Sequence, residues 1–254
     1  NMAQAMIGGI LAKEIVKKED IIASAATQKT IDKVAKEFGI NVTLDNREVA
    51  KADIVFLAVK PFYYEEVIDG IKDVVDEKQL IISVAAGKSV EWVENAFGGK
   101  KKIVRIMPNT PALVGEAVTA ICPNANITDG EKQEIVELIA SFGLAQIVSE
   151  KIMDAVIAVS GSSPAYVFMF IEAMADAAVA EGMPRVQAYQ FAAQSVLGSA
   201  KMVLETGKHP GELKDMVCSP SGTTIEAVKV LEEKGFRSSI IEAMSACADK
   251  SRNM

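Results

Sequence analysis

Ile54-Val55-Phe56-Leu57-Ala58-Val59-Lys60-Pro61 decides the fold. An unbroken apolar run this short, closed by a lysine and a proline, suits a strand covered on both faces, as in a parallel sheet. Reading outward from it, β-branched runs alternate with helical patterns. Upstream come a helix over residues 3–17, a strand over 21–24, a helix over 29–38 and a short strand over 42–44. Downstream come helices over 64–75 and 90–97, strands over 80–85 and 103–107, then strands over 117–121 and 145–148 flanking a helix over 129–142. Such alternation predicts an α/β, Rossmann-like, doubly wound sheet with helices on both faces.

Strand signals stop near residue 150, and helices separated by Gly182-Met183-Pro184, Gly207-Lys208-His209-Pro210 and Ser219-Pro220-Ser221-Gly222 follow. The expected division is therefore 1–150 for the nucleotide-binding domain and 151–254 for an all-α domain. Residues 155–182 are apolar enough to suggest a membrane span. Gly161-Ser162-Ser163-Pro164 breaks the run, and Glu172 and Asp176 interrupt the remainder, so a buried helix is expected instead. A helix apolar on nearly every side needs cover all round, which a partner subunit would give.

The chain has 254 residues, half of them apolar, and a net charge of −7. That balance excludes disorder, and the acidic charge argues against a nucleic-acid footprint. Lys100, Lys101 and Lys102 form the basic run, which reads as a solvated turn. The three cysteines have no C-x-x-C spacing, so neither a disulfide framework nor a metal site is expected, and a reducing cytoplasm fits best.

One feature of the order is anomalous. Asn1-Met2-Ala3-Gln4 opens directly as a helix, whereas a dinucleotide-binding sheet places a strand and a glycine turn before it. The expectation is an upstream strand with a G-x-G turn, without which the sheet would have a gap.

The strand over 21–24 ends without the Asp or Glu that would bind a ribose 2′-hydroxyl; Ala25-Ala26-Thr27-Gln28-Lys29 suits a 2′-phosphate, or is an ordinary turn. Lys60-Pro61 and Ala85-Ala86-Gly87 lie at carboxyl ends of strands, where small or rigid residues admit a cofactor, as they also do in any α/β turn. Pro108-Asn109-Thr110-Pro111 is a stiff loop presenting two polar side chains, a binding floor or a tight turn. In Ser219-Pro220-Ser221-Gly222-Thr223-Thr224-Ile225-Glu226, hydroxyls and amides converge at a helix start. This describes either an anion site or a plain N-cap.

These segments together resemble the pyrroline-5-carboxylate reductases. The resemblance runs through Asn1-Met2-Ala3, Phe56-Leu57-Ala58-Val59-Lys60-Pro61, Ser83-Val84-Ala85-Ala86-Gly87, Met107-Pro108-Asn109-Thr110-Pro111, Ser160-Gly161-Ser162-Ser163-Pro164-Ala165-Tyr166 and His209-Pro210 through Ile225. It implies reduction of 1-pyrroline-5-carboxylate to L-proline by NADPH, with NADH possible. By the same resemblance, Asn1 and Met2 end the glycine loop, Ser24 and Asn46 lie near the adenosine 2′-phosphate, and Ala58, Val59, Lys60 and Pro61 line the dinucleotide.

Val84, Ala85 and Ala86 are implied near the nicotinamide, with Asn109 and Thr110 also on the cofactor side. Glu150, Ser219, Gly222, Thr223 and Thr224 match substrate-binding positions, and Thr224 is the expected catalytic hydroxyl. The C-terminal helical domain is expected to self-associate, as a dimer or a multiple of dimers. Ser221 and Ser163 stand where glycine is common, and Met216 where some members carry Asn. Two other readings share this plan: a related imine or hydroxyacid oxidoreductase, and a non-catalytic regulatory homologue.

Overall fold

The computed structural model describes residues 2–253. They divide into two compact units, one of residues 2–162 with 248–253, the other of residues 163–247. The first unit runs α1 (Met2–Ala12), β1 (Ile22–Ser24), α2 (Gln28–Phe38), β2 (Asn41–Thr43), α3 (Asn46–Val49), β3 (Ile54–Leu57) and α4 (Tyr64–Ile71). It continues β4 (Leu80–Ser83), α5 (Val90–Ala96), β5 (Lys102–Met107), β6 (Ala117–Pro123), α6 (Asp129–Ile139), β7 (Gly143–Ile147) and α7 (Met153–Val156).

Strands β3 to β7 lie side by side in chain order, parallel except where β6 runs antiparallel to β5. Two apolar layers cover this sheet. Val55, Leu57, Ile81, Ile103 and Met107 point to one, under Ile68, Ile71 and Val93. Ile82, Val104, Ile106 and Ile121 point to the other, under Met6, Ile10, Ile135 and Ile139. The two sets alternate along each strand, as the two-residue period of a strand requires. Strand β1 pairs in parallel with β2 in a separate two-stranded sheet.

Helix α1 is shorter than the expected 3–17. It ends where Glu14 adopts φ +54°, and the Ile15 amide reaches back to Ile10 O at 3.3 Å, a bond that spans five residues and closes the last turn. Gly9 sits where α1 presses on the 3₁₀ turn before β7: a Cβ there would lie 2.5 Å from Phe142 Cβ.

The units divide at Ser162, beyond the expected 150. Residues 150–161 form short turns that belong to the sheet: Met153 is buried in its core, Val156 and Ile157 pack against it, and Asn109 Nδ2 donates to Ser160 O at 3.0 Å. The second unit holds α8 (Ser163–Ala180), α9 (Arg185–Thr206), α10 (Pro210–Val217), α11 (Thr223–Glu233) and most of α12 (Phe236–Arg252). The end of α12 counts with the first unit, where Ser251 Oγ donates to Asp154 Oδ1 at 2.6 Å.

Helices α8 and α9 pack on one another, and small residues, Ala175, Ala188 and Ala192, are the buried ones. Large apolar side chains stay uncovered: Phe168 is 61% exposed, Phe191 65% and Leu204 78%. The helix expected to be buried is thus not buried by its own chain. Among the described residues, the helical run Glu150–Ala180 is long and apolar enough to cross a membrane by length and composition. A π-helical turn at Ile157–Gly161 interrupts it, and Glu172 and Asp176 lie in its second half.

Candidate active site

From Ser24 on, the residues expected on the nucleotide side lie at or beyond the carboxyl ends of β1, β2, β3, β4 and β5. Strand β1 ends at Ser24, whose Oγ donates to Asn46 Oδ1 at 2.7 Å, so the two residues expected at the adenosine end are brought together. Asn46 opens α3, a four-residue helix too short to stand out in the sequence, capped by Asp45. Arg47 beside it is committed elsewhere: its guanidinium grips Asp73 at 2.7 and 2.8 Å and Gly70 O at 2.9 Å. Lys29 lies exposed in the first turn of α2. Met2 opens α1, and Asn1 lies outside the described residues.

The loops after β3 and β4 are joined by Tyr64, a residue that belongs to no motif. Tyr64, fully buried, donates its hydroxyl to Leu57 O and accepts from the Val84 amide at 3.0 Å and from Ser83 Oγ at 3.3 Å. One phenol therefore ties the exit of β3, from which Ala58, Val59, Lys60 and Pro61 run, to the exit of β4, which continues as Val84, Ala85 and Ala86. Burial pushes the Tyr64 hydroxyl above its ordinary pKa, so it stays protonated and able to donate. Gly87 then turns the second loop at φ +74°, a conformation open to glycine.

Asn109 is buried after β5, and both ends of its amide are engaged: Nδ2 on Ser160 O at 3.0 Å and Oδ1 under the Val118 amide at 3.0 Å. It braces the loop from within, and Thr110 is the polar side chain that the loop exposes. Glu150 is engaged through one oxygen. Its Oε1 accepts from Arg105 Nη1 at 2.7 Å and from the Val90 amide at 3.0 Å. Arg105 also went unnoticed in the sequence, although an arginine inside Ile103-Val104-Arg105-Ile106-Met107 is a visible signal, because a charge is rarely buried without a partner. Cys122, next to Arg105 across β5 and β6, has its thiol pushed up to about 11 by burial first and by Glu150 second.

In the helical unit, residues 219–222 make a tight turn closed by the Gly222 amide on Ser219 O at 3.0 Å. Ser221 takes φ +57°, the left-handed conformation that a glycine would adopt without strain. Gly222 is the N-cap of α11, and a Cβ on it would lie 2.4 Å from Ser219 Oγ. Among the described residues no side chain caps α11. The hydroxyls of this turn are therefore not spent on a plain N-cap. Exposed Ser219 and Thr223 and half-buried Thr224 surround a helix start whose amides carry partial positive charge.

Two family descriptions match the chain: "pyrroline-5-carboxylate reductase dimerisation" over residues 150–254, and "NADP oxidoreductase coenzyme F420-dependent" over residues 1–87. The first of these, with the uncovered apolar faces of α8 and α9, marks the helical unit as one that self-associates. The pyrroline-5-carboxylate reductase of Escherichia coli (strain K12) is 51% identical over 100% of this chain and 95% of its own length. A solved pyrroline-5-carboxylate reductase from Coxiella burnetii superposes with a TM-score of 0.92 at 34% identity, covering 99% of this chain and 94% of its own. The Plasmodium falciparum pyrroline carboxylate reductase, solved with NADP bound, gives a TM-score of 0.90 at 33% identity, with coverages of 99% and 94%. Identity at this level over the whole chain, on a shared fold, leads to one conclusion: the chain belongs to the pyrroline-5-carboxylate reductase family.

Proposed function

We propose that the chain reduces the C=N bond of 1-pyrroline-5-carboxylate to give L-proline, with NADPH as the reductant. The observation that carries this reading is the start of α11: unspent hydroxyls and amides gathered where no side chain caps the helix, in a chain of this family. Such a turn suits the carboxylate of a small ring acid.

The nucleotide end fits NADPH better than NADH. Strand β1 ends in a hydroxyl–amide pair, Ser24 with Asn46, and has no carboxylate to repel a 2′-phosphate, while Lys29 offers a nearby positive charge. Asn1, Met2, Ala58, Val59, Lys60, Pro61 and Thr110 would hold the rest of the dinucleotide, with Val84, Ala85 and Ala86 beside its nicotinamide. Bound there, NADPH supplies hydride to the imine carbon.

The protein orients and holds charge. The Ser219 and Thr223 hydroxyls and the Thr223 amide, at the helix start that Gly222 opens, grip the substrate carboxylate, and the Thr224 hydroxyl accepts the N–H of the protonated imine. Because that nitrogen arrives with its proton, hydride addition at carbon cancels the charge and leaves the amine, with no further acid required. Glu150 is left out of this set: its Oε1 already serves Arg105 and Val90, and a second carboxylate would oppose the one that the substrate brings.

The assembly is a dimer or a multiple of dimers through the helical unit, in a reducing cytoplasm where Cys122 stays a buried thiol. Replacing Thr224 with Ala tests the chemistry. Turnover of the imine should fall at least about tenfold, as on removing one group that faces developing charge, while NADPH affinity is kept. Undiminished turnover, or faster oxidation of NADPH with 2-oxo acids or other imines in a substrate panel, overturns the assignment.

A further inference from the structure

Arg105 breaks an apolar strand, and its side chain is only 8% exposed. Strand register sets Leu57, Ser83, Arg105 and Cys122 in one row across β3, β4, β5 and β6, on the layer that holds Ile103 and Met107. That row is the polar seam of an otherwise apolar layer. Tyr64 closes one end of it, on Leu57 O, Ser83 and Val84. Arg105 and Glu150 form the other.

The connections show what the second end holds. One carboxylate oxygen of Glu150 takes both Arg105 Nη1, at 2.7 Å, and the Val90 amide, at 3.0 Å. Val90 is the first residue of α5, so its amide is one of the donors a helix leaves unpaired at its start. Ser89, the N-cap, serves Trp92, and Glu150 serves Val90 from far along the chain. Residues 84–89 are therefore stretched between two tethers: Val84 on Tyr64, and Val90 on Glu150. Those residues include the Val84, Ala85 and Ala86 loop.

Stability alone does not account for the arrangement. Arg105 Nε is buried without a hydrogen-bond partner, and an apolar side chain on this strand would bury no charge at all. A costly ion pair that fixes a loop end has its use in placing the loop. We propose that Arg105 and Glu150 are positioning residues of the reductase: Arg105 orients Glu150, Glu150 pins the start of α5, and together they hold residues 84–89 in the shape that receives the nicotinamide. The proposal rests on the cofactor side of the reading above.

The test compares Glu150→Ala, Glu150→Gln and Arg105→Lys in the full-length protein. Two readouts do not depend on turnover: hydrogen exchange of the peptide over 84–93 without nucleotide, and NADPH affinity by nucleotide fluorescence. In Glu150→Ala that peptide should exchange faster while the other sheet peptides keep their protection. The NADPH Kd should rise about tenfold, the size expected when one charge-assisted hydrogen bond ordering a binding loop is lost. The KM for the imine should change less than about twofold.

Glu150→Gln keeps an acceptor oxygen for both donors and should restore most of the affinity. Arg105→Lys shortens the reach to Glu150 and should loosen the same peptide, which keeps the test open if Glu150→Ala does not fold. Wild-type exchange and Kd in Glu150→Ala, or a rise in the imine KM alone, overturn the proposal; the second result makes Glu150 a substrate contact. Uniform loss of protection with no rescue by Gln also overturns it, by reducing the pair to a structural brace. If the wild type reduces no imine, the functional reading fails, while exchange and NADPH binding still decide the tether.

Discussion

Replacing Tyr64 with Phe tests the joint between the loops after β3 and β4, because it removes one oxygen and keeps the ring that packs in the sheet core. The hydroxyl has three partners, but the loss is smaller than three bonds. Leu57 O keeps a second donor, the Val84 amide at 3.2 Å, so the backbone pair stays satisfied. Ser83 does not fare so well: it is fully buried and its hydroxyl points to Tyr64 at 3.3 Å. One bond lost and one hydroxyl orphaned amount to about 2 kcal/mol.

Ser83→Ala alone deletes the weaker partner and leaves Tyr64 with Leu57 and Val84, at a cost of about 1 kcal/mol. In the double variant no hydroxyl is left orphaned, so the total should stay near 2 kcal/mol, giving a coupling of about 1 kcal/mol between the two positions. Urea unfolding followed by Trp92 fluorescence reads this directly. Trp92 is the only tryptophan, and its ring centroid lies 6.5 Å from that of Tyr64. With a slope of roughly 2–3 kcal/mol per molar urea, Tyr64→Phe should move the midpoint down by roughly 0.7–1 M. Additive single and double variants, or an unshifted midpoint for Tyr64→Phe, refute the account of the joint.

The two glycines of α1 should respond oppositely to alanine. Gly9→Ala drives a Cβ to 2.5 Å from Phe142 Cβ and 3.1 Å from its Cα, where backbone cannot give way, and should cost roughly 2–4 kcal/mol in a thermal unfolding assay. At Gly8 the nearest obstacle is Phe38 Cε1 at 3.6 Å, so Gly8→Ala should be neutral or stabilise by up to about 1 kcal/mol through helix propensity. Acid sensitivity should appear at α6, where hydrogen bonding from Lys102 first, and from Thr128 next, pulls Glu131 down to about 2. A carboxyl lower in the folded than in the unfolded chain stabilises above its unfolded value of 4.5 and loses that contribution as pH falls toward 2. The stability gap between wild type and Glu131→Gln, kept below about 1 kcal/mol by solvent screening, should thus be full above pH 5 and vanish near pH 2; a gap that does not change with pH rules the linkage out.

Strands announced themselves in this sequence because a continuous apolar run has few other uses, and each of the seven is found within a few residues of its expected place. Their ends were less legible, since a helix such as α1 stops where one residue, Glu14, turns left-handed. The site divides in the same way. Hydroxyl chemistry at 219–224 was visible in the residues, but composition could not separate an anion cradle from a cap. Only the placement of Gly222 at the N-cap shows that the serines and threonines are spare.

Asn109 and Glu150 carry the opposite lesson. A stiff polar loop suggested ligand contact for Asn109 and the family resemblance suggested it for Glu150; the structure adds partners distant in sequence, Ser160 and Val118 for one and Arg105 with Val90 for the other. Arg105 and Tyr64 complete that logic, because a charge within an apolar strand and a phenol after a strand exit were both present in the sequence, and each ties down a loop where cofactor was expected. Buried polar groups in an apolar layer cost stability wherever they are kept, so a seam running from Tyr64 to Glu150 across four strands is best explained by the precision it imposes on the loops that Tyr64 and Glu150 tether.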